Sequence, residues 1–277
     1  MSRYLEVEGP IALAHRGFSA PGHHGAPRAG ENSLAAFAAA VDLGYRYLET
    51  DVHATSDGVL VAFHDATLDR ATDGRGPIAA QPWSVVSRAR IEGVEPVPRL
   101  EEALAAWPDV RFNLDVKASG AVAPLVRVLT AARAVDRVCV ASFSERRRRA
   151  VLAGLRAAGH REVTSSAGRQ GVVRFLAAAA AGLRGRALRA AAAADCLQVP
   201  ERAGALRVVT GATLDAARSA GLPVHVWTVN DPAAMHRLLD AGVDGLVTDR
   251  ADLLREVLAS RGQWPTHPLP PREETPP

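Results

Sequence analysis

Residues 47–65 read YLETDVHATSDGVLVAFHD, and this stretch links the fold of the chain to a candidate site. Tyr47–Val52 is a short run that predicts a strand, and it carries the carboxylates Glu49 and Asp51. The run VLVAF that follows predicts another extended segment, which leads directly to His64. In a parallel α/β barrel, active sites lie where strands end and the following loops begin. The stretch therefore predicts both a barrel strand and part of a site.

Similar short runs alternate with longer Ala-, Leu- and Arg-rich helical patterns along most of the chain. The predicted strands are Ile11–Ala14, Tyr47–Val52, Arg111–Val116, Arg137–Ser142, Glu162–Ser166, Cys196–Val199, Pro223–Val229 and Gly245–Thr248. The predicted helices include Ser33–Leu43, Glu101–Trp107, Ala121–Ala134, Glu145–Ala158, Thr213–Ala220, Pro232–Ala241 and Ala251–Ser260. Eight strands that alternate with helices favour an α/β fold of the closed TIM (β/α)8 type. An open, doubly wound sheet is the alternative.

Two regions depart from this alternation. Residues 65–98 are rich in Gly, Pro and Asp and predict an excursion after the second strand. Residues 263–277 are rich in Pro and Glu and cannot bury enough apolar area to offset the entropy of ordering, so we expect a disordered tail. A single catalytic barrel should therefore occupy residues 1–262.

Composition excludes several classes of protein. The 277 residues carry a net charge of +3, and no apolar run has the length of a signal peptide or a membrane span. We therefore expect a cytoplasmic protein without stable membrane insertion. The basic run Arg146–Arg149 has no interleaved aromatic residues, which favours a solvated helix face over a nucleic-acid site. Cys139 and Cys196 lie in apolar runs and are expected to be buried free thiols.

Three carboxylates are predicted at neighbouring strand ends. Glu49 and Asp51 are two residues apart on one strand and so point to the same face, and Asp115 and Lys117 repeat this spacing on the next strand. Converging carboxylates repel one another unless a cation lies between them. One hard divalent ion with oxygen ligands, Mg²⁺ or Ca²⁺, meets this requirement. Salt bridges between these carboxylates and arginines are the alternative.

Two histidines complete the predicted constellation. His15 follows the first strand and His64 follows the extended segment after the second. Cleavage of a phosphodiester needs one group to deprotonate the nucleophile and another to protonate the leaving alkoxide, and two histidines can do both. Arg16 would neutralise charge on the phosphate oxygens with its bidentate fork. Lys117 is the only lysine in the chain, which indicates a position where a compact ammonium is required.

These residues resemble the glycerophosphodiester phosphodiesterase family. The resemblance rests on an ordered series of motifs over nearly the whole chain: HRG (15–17), EN (31–32), AF (36–37), ETDVHATSDGVLVAFHD (49–65), LDRATDGRG (68–76), NLDVK (113–117), SF (142–143), VWTVND (226–231) and DGLVTDRADLL (244–254). It implies a TIM barrel with a small insertion after strand two, one bound divalent cation and a small-molecule phosphodiester substrate. The site residues it implies are the metal ligands Glu49, Asp51 and Asp115, the acid–base pair His15 and His64, and the phosphate-binding residues Arg16 and Lys117.

Further positions are interpreted within this resemblance. Trp227, at the end of strand seven, would wall the substrate pocket, with simple barrel packing as the alternative. Asp115 replaces the glutamate usual in the family, which shortens one metal ligand. The first loop carries His23 and His24, which we interpret as part of the loop rim, with a second metal site or a substrate lid as the alternatives.

The predicted reaction is metal-dependent hydrolysis of a glycerophosphodiester to glycerol 3-phosphate and an alcohol. A phospholipase D of the sphingomyelinase type is one alternative, and Asp115 is the feature in its favour. A catalytically inactive barrel used as a binding module is another, but none of the catalytic histidines or acidic ligands is missing from the chain. No nucleic-acid partner is expected.

Overall fold

Buried strands alternate with helices throughout the computed structural model, which describes residues 3–19 and 30–264. The strands are β1 (Ile11–His15), β2 (Tyr47–Ala54), β3 (Leu60–Ala62), β4 (Arg90–Ile91), β5 (Glu95–Pro96), β6 (Arg111–Val116), β7 (Val138–Ala141), β8 (Thr164–Ser165), β9 (Leu197–Pro200), β10 (Arg202–Ala203), β11 (Leu206–Arg207), β12 (Val224–Trp227) and β13 (Gly245–Thr248). The α-helices are α1 (Leu34–Asp42), α2 (Trp83–Val86), α3 (Leu100–Ala106), α4 (Val122–Ala131), α5 (Glu145–Ala157), α6 (Arg169–Ala180), α7 (Arg186–Ala192), α8 (Gly211–Ser219), α9 (Pro232–Asp240) and α10 (Ala251–Ser260).

Eight of the strands form one parallel sheet in the order β8-β7-β6-β2-β1-β13-β12-β9. The first and last strands of the chain are neighbours in it, since Ile11 pairs with Gly245. The two outer strands also approach each other, because Ser166 and Cys196 form a parallel bridge just beyond β8 and before β9. The strands thus follow one another in chain order around a closed circuit. This topology fits the predicted (β/α)8 barrel and does not fit the open, doubly wound alternative.

The amino-terminal end of the barrel is filled by apolar side chains. Tyr4 is completely buried there, and its ring meets that of Tyr47 edge-on at 5.1 Å between centroids. Cys139 and Cys196 lie in the same buried cluster as free thiols, which confirms their predicted state. Because this end is plugged, the polar groups of the barrel interior face the opposite mouth.

Short side-chain caps start several helices at the mouth of the barrel. Ser33 accepts a hydrogen bond from the Ala36 N–H at the start of α1, and Ser144 does the same for the Arg147 N–H at the start of α5. Such caps satisfy N–H groups that the first helical turn leaves without partners. They fix the points at which the chain turns from strand end to helix.

The segment between β2 and α3 carries short elements of its own. β3 runs antiparallel to β2, with Val52 opposite Ala62. Beyond it, α2 and the β4–β5 pair surround a small apolar cluster that includes Phe63, Ile78 and Ile91. Residues 65–98, for which the sequence predicts an excursion, lie within this segment.

The carboxyl-terminal part of the described chain packs against the first half of the barrel. The Trp264 ring lies 5.1 Å from that of Tyr45, and the Trp264 N–H donates to the carbonyl of Leu258. Residues 265–277, which make up most of the predicted tail, lie outside the described residues, as do His23 and His24. Within the described residues, no helix combines the length and the apolar character that a membrane span requires.

Candidate active site

The predicted catalytic and acidic residues meet at the carboxyl-terminal mouth of the barrel. His15 is the last residue of β1, and Glu49 and Asp51 lie within β2. The strand register places His15 beside Glu49, and Asp51 beside Asp115 of β6. The antiparallel strand β3 brings His64 back to the same end, since the N–H of the preceding Phe63 donates to the Asp51 carbonyl oxygen. Residues that are far apart in sequence thus become neighbours through strand register.

Arg16 is held by three carboxylates at the first βα turn. Its backbone has a positive φ of 56°, and its N–H donates to Oε2 of Glu49 at 3.2 Å. The guanidinium Nη1 donates to both carboxylate oxygens of Glu31 at 3.2 Å, and Nε lies 3.3 Å from Oδ2 of Asp51. The guanidinium is therefore held beside the acidic group formed by Glu49, Asp51 and Asp115 and does not move freely in solvent.

Lys117 lies between two carboxylates. Its Nζ is 2.8 Å from Oδ1 of Asp51 and 2.6 Å from Oδ2 of Asp115. Burial opposes ionisation of Asp51, but the charges of Lys117 and Arg16 outweigh it and lower the pKa of this carboxyl. Burial likewise disfavours the ammonium, but Asp51 and Asp115 outweigh it and raise the pKa of Lys117. The lysine therefore stays charged at the centre of the site.

Asn32 and Thr50 hold Asp51 from the other side. The Asn32 amide donates to Oδ2 of Asp51 at 3.2 Å, and the Thr50 hydroxyl donates to the Asn32 carbonyl oxygen at 2.7 Å. Because the hydroxyl binds the oxygen of the amide, the NH₂ group must face the carboxylate. All three side chains are buried, so the orientation of Asp51 is fixed.

Within the acidic group, the Glu49 carboxylate has too little positive charge around it. Burial, followed by repulsion from Asp51, raises the pKa of Glu49 to about 8. On the neighbouring strand, Oδ1 of Asp115 is buried and has no hydrogen-bond partner among the described residues. A buried carboxylate oxygen without a partner is costly unless a cation or a donor meets it.

A hard divalent cation suits this donor set. Among the described residues, no three His, Cys, Asp or Glu side chains stand, as placed, in an arrangement that could hold a metal ion, and the Lys117 ammonium occupies the space between Asp51 and Asp115. The chemistry nonetheless fits such an ion, since all the candidate donors are carboxylate oxygens and Oδ1 of Asp115 has no other partner within the part of the chain that the structure describes.

His15 is oriented by a contact across the barrel seam. Its Nδ1 lies 2.6 Å from Oδ1 of Asp249, which directly follows β13. Asn230 donates to the other oxygen of Asp249 at 2.8 Å. Burial alone would lower the pKa of His15, but Glu49 and Asp249 outweigh it and raise the pKa. The contact leaves Nε2, which is 3.8 Å from Glu49, as the nitrogen that faces the acidic group.

His64 is oriented by its own sequence neighbour. Its Nδ1 lies 2.6 Å from Oδ1 of Asp65, and Arg70 Nε donates to the other oxygen of Asp65 at 2.6 Å. Arg70 also contacts Glu31, so the two arginines at positions 16 and 70 share that carboxylate. The bond from Arg70 is the main reason that the pKa of Asp65 falls to about 2. The two histidines are therefore each backed by an ionised aspartate.

Two aromatic rings line the other side of the mouth. Trp227 is the last residue of β12 and is half-buried, while Phe143 follows β7 and is 54% exposed. Their rings meet edge-on at 5.6 Å between centroids, and Lys117 Nζ lies 5.7 Å from the centre of the Phe143 ring. Trp227 therefore contacts Phe143 at the mouth and also packs against the buried cluster that contains Tyr47.

The structure brings all eight predicted site residues to one end of the barrel, and it adds others that sequence reasoning did not assign. Asp249 follows β13 and Asn230 follows β12, and a position just after a strand is the same signal that indicates His15 and His64. Asn32 and Glu31 belong to the EN motif without a role deduced from it. Phe143 belongs to the SF motif and offered no chemical signal by itself.

Comparison with known proteins gives consistent matches over the whole barrel. The profile of the glycerophosphoryl diester phosphodiesterase family matches residues 15–253. The protein named probable glycerophosphodiester phosphodiesterase 2 of Mycobacterium tuberculosis is 44% identical over 261 residues, which cover 94% of this chain and 95% of the relative. A glycerophosphodiester phosphodiesterase of Caldanaerobacter subterraneus is 27% identical and covers 91% of this chain and 99% of its own.

Solved structures show the same fold. A glycerophosphodiester phosphodiesterase from Agrobacterium tumefaciens aligns with a TM-score of 0.70 at 24% identity, covering 90% of this chain and 99% of its own. A phosphodiesterase from Oleispira antarctica was solved in complex with the product sn-glycerol-3-phosphate. It aligns with a TM-score of 0.71 at 22% identity and covers 91% of this chain and 97% of its own.

Proposed function

The chain belongs to the glycerophosphoryl diester phosphodiesterase family, and we propose that it hydrolyses glycerophosphodiesters to glycerol 3-phosphate and a free alcohol. The observation that carries the proposal is the pairing of His15 and His64, each with an aspartate on its Nδ1, beside the buried carboxylates of β2. In this family context, the segment at residues 65–98 would be the small insertion after strand two.

The two histidines suit the proton transfers of this reaction. Asp249 and Asp65 each accept from the Nδ1 of one histidine, which fixes the tautomer and leaves Nε2 to exchange a proton with the substrate. One imidazole would take a proton from the attacking water, and the other would give a proton to the leaving alkoxide. A nucleophile on one side of phosphorus and a leaving group on the other requires two such groups.

Arg16 and Lys117 would bind the negative charge of the phosphate. Both are cations that the acidic group already holds in fixed positions, so little reorganisation is needed when a phosphate arrives. Glu49, Asp51 and Asp115 would hold one divalent cation, Mg²⁺ or Ca²⁺. When bound, that ion would neutralise charge on the non-bridging phosphate oxygens.

The alternatives have less support. Two relatives that match over 94% and 91% of the chain are named as glycerophosphodiester phosphodiesterases, which does not favour a phospholipase D of the sphingomyelinase type. The inactive binding module is not favoured either, because the relatives carry enzyme names and the predicted catalytic side chains lie together.

The test is release of glycerol 3-phosphate from glycerophosphocholine, followed with and without a chelator. We expect turnover in Mg²⁺ or Ca²⁺, its loss on chelation, and a loss of at least about 100-fold in His15→Asn and His64→Asn. His236→Gln changes a half-buried histidine of α9 outside the site and should keep wild-type turnover. Release of a cyclic phosphate, or wild-type turnover in both site variants, would contradict the proposal.

A further inference from the structure

A cavity of about 440 Å³ opens beside the barrel mouth and has no role in the proposed chemistry. Phe143 and the first turns of α5 and α6 form its walls. Phe143 also contacts Trp227 and the Lys117 ammonium, so one aromatic ring separates the cavity from the phosphate-binding residues. A substrate whose phosphate lies near Lys117 can therefore extend one end past this ring into the cavity.

The cavity is strongly basic. Its described lining contains three arginines, Arg146, Arg149 and Arg169, and one carboxylate, that of Glu145. Glu145 is already bound by the buried Arg148 at 2.6 Å and by Arg149 at 2.8 Å. Its negative charge is therefore neutralised within the wall and does not offset the other arginines.

Two of these arginines are left without acidic partners. Arg146 and Arg169 are exposed, and no carboxylate within the described ranges lies within 4.0 Å of either guanidinium. A cavity wall with unpaired guanidinium groups repels cations and attracts anions, and guanidinium binds phosphate through bidentate hydrogen bonds.

Backbone geometry adds to the positive potential. The amino termini of α5 and α6 both lie at the cavity, and helix amino termini carry partial positive charge. Gly168 keeps the two helix starts close together, since a Cβ there would come within 2.9 Å of Glu145 Oε2 and 3.0 Å of the Ser142 carbonyl oxygen. The arginines and the two helix amino termini thus all lie around the same small cavity.

We propose that this cavity is the head-group subsite, and that it selects glycerophosphodiesters whose alcohol carries a phosphate monoester over those whose alcohol is neutral or cationic. The inference rests on the proposed function, because it assigns the leaving alcohol of that reaction to the cavity. A choline head group would place its cation among the arginines, whereas a phosphorylated polyol would place an anion there.

The experiment compares two substrates that differ by one phosphate: glycerophosphoinositol 4-phosphate and glycerophosphoinositol. We expect the wild-type kcat/KM to be about tenfold higher for the phosphorylated substrate, mainly through a lower KM, because the extra contact forms on binding. In the double variant Arg146→Gln/Arg169→Gln, the ratio of the two kcat/KM values should fall to about one.

The matched control is Arg156→Gln/Arg161→Gln, which removes the same charge from two exposed arginines that do not line this cavity. It should keep the wild-type preference, so that an effect of overall charge is separated from an effect of the cavity. A second measurement uses the alcohol product: inositol 4-phosphate should inhibit the wild type more strongly than inositol does.

The outcomes separate the two proposals. Equal kcat/KM values for both substrates in the wild type, or an equal loss of preference in the control, would refute the head-group subsite while leaving the hydrolytic function in place. If the enzyme releases glycerol 3-phosphate from neither substrate nor from glycerophosphocholine, the proposed function itself is wrong.

Discussion

His15 Nδ1 and Asp249 Oδ1 are 2.6 Å apart, so the first strand of the barrel and the residue that follows the last strand share one hydrogen bond. The two residues are 234 positions apart in the chain. The orientation of one proposed catalytic histidine therefore depends on closure of the barrel.

Asp249→Asn is expected to lower kcat by about 10- to 100-fold with little change in KM. An amide can present its NH₂ to Nδ1 and so favour the wrong tautomer of His15, whereas the carboxylate accepts only. Steady-state kinetics on glycerophosphocholine measures the effect. The control is Asp240→Asn. It removes an exposed carboxylate at the end of α9, which pairs with Arg261, and it should behave as the wild type. An unchanged kcat in Asp249→Asn would show that Asp249 does not position the histidine.

Much of this arrangement follows from sequence. The strands at 111–116 and 245–248 have the predicted bounds. Charged residues at strand ends pointed to Glu49, Asp51 and Asp115, and strand register brings them together. The predicted strand at 162–166 shrinks to Thr164–Ser165, because only these residues pair in register with β7.

The rest depends on contacts that no local pattern encodes. The cavity beside Phe143 combines the start of α5 with the start of α6, which the basic run at 146–149 alone does not reveal. The solvated helix face predicted for that run is wrong at Arg148, because this side chain is buried and paired with Glu145. The tract at 175–194 divides between α6 and α7, and the break between them includes Gly182 and Gly185, both with positive φ.

Lys117→Arg is expected to lower turnover by at least about 100-fold, although charge is conserved. The ammonium lies within 2.8 Å of Asp51 and 2.6 Å of Asp115, and a planar guanidinium is larger than the space between those carboxylates. Lys117→Met should in addition lower the free energy of unfolding by about 3 kcal/mol, because two buried carboxylates lose their partner. Urea denaturation separates the two effects. Wild-type turnover in Lys117→Arg would mean that a compact cation is not required.

Divalent cations are expected to stabilise the fold as well as support turnover. Glu49 is a buried carboxylate with too little compensating positive charge, and Oδ1 of Asp115 is buried with no hydrogen-bond partner among the described residues, so an ion that binds both stabilises the folded chain through mass action. At about 100 times the dissociation constant, Tm should rise by roughly 5 °C or more. Differential scanning calorimetry in chelator, Mg²⁺ and Ca²⁺ measures this directly. Glu49→Gln should remove most of the shift. If no ion changes Tm and chelated enzyme keeps its turnover, the carboxylates do not form a metal site.

Acid is expected to destabilise the barrel through His225, a fully buried residue of β12 outside the proposed chemistry. Burial lowers the pKa of its imidazole from 6.5 to about 4. Its Nδ1 lies 3.4 Å from the Gln198 amide, and Nε2 has no hydrogen-bond partner among the described residues, so the neutral ring is tolerated but its cation is not.

The direction of the effect follows from the two protonation states. Between pH 6.5 and about 4, the unfolded chain binds a proton at this position and the folded chain does not. The contribution to stability is therefore fully present above about pH 6.5 and is lost as the pH falls towards 4, by about 3 kcal/mol in all. Urea denaturation from pH 7.5 to 4 should show a shallower loss of stability in His225→Asn, whose amide oxygen can still accept from Gln198. His236→Gln should keep the wild-type slope. Equal slopes in His225→Asn and the wild type would show that the buried imidazole is not the group that titrates.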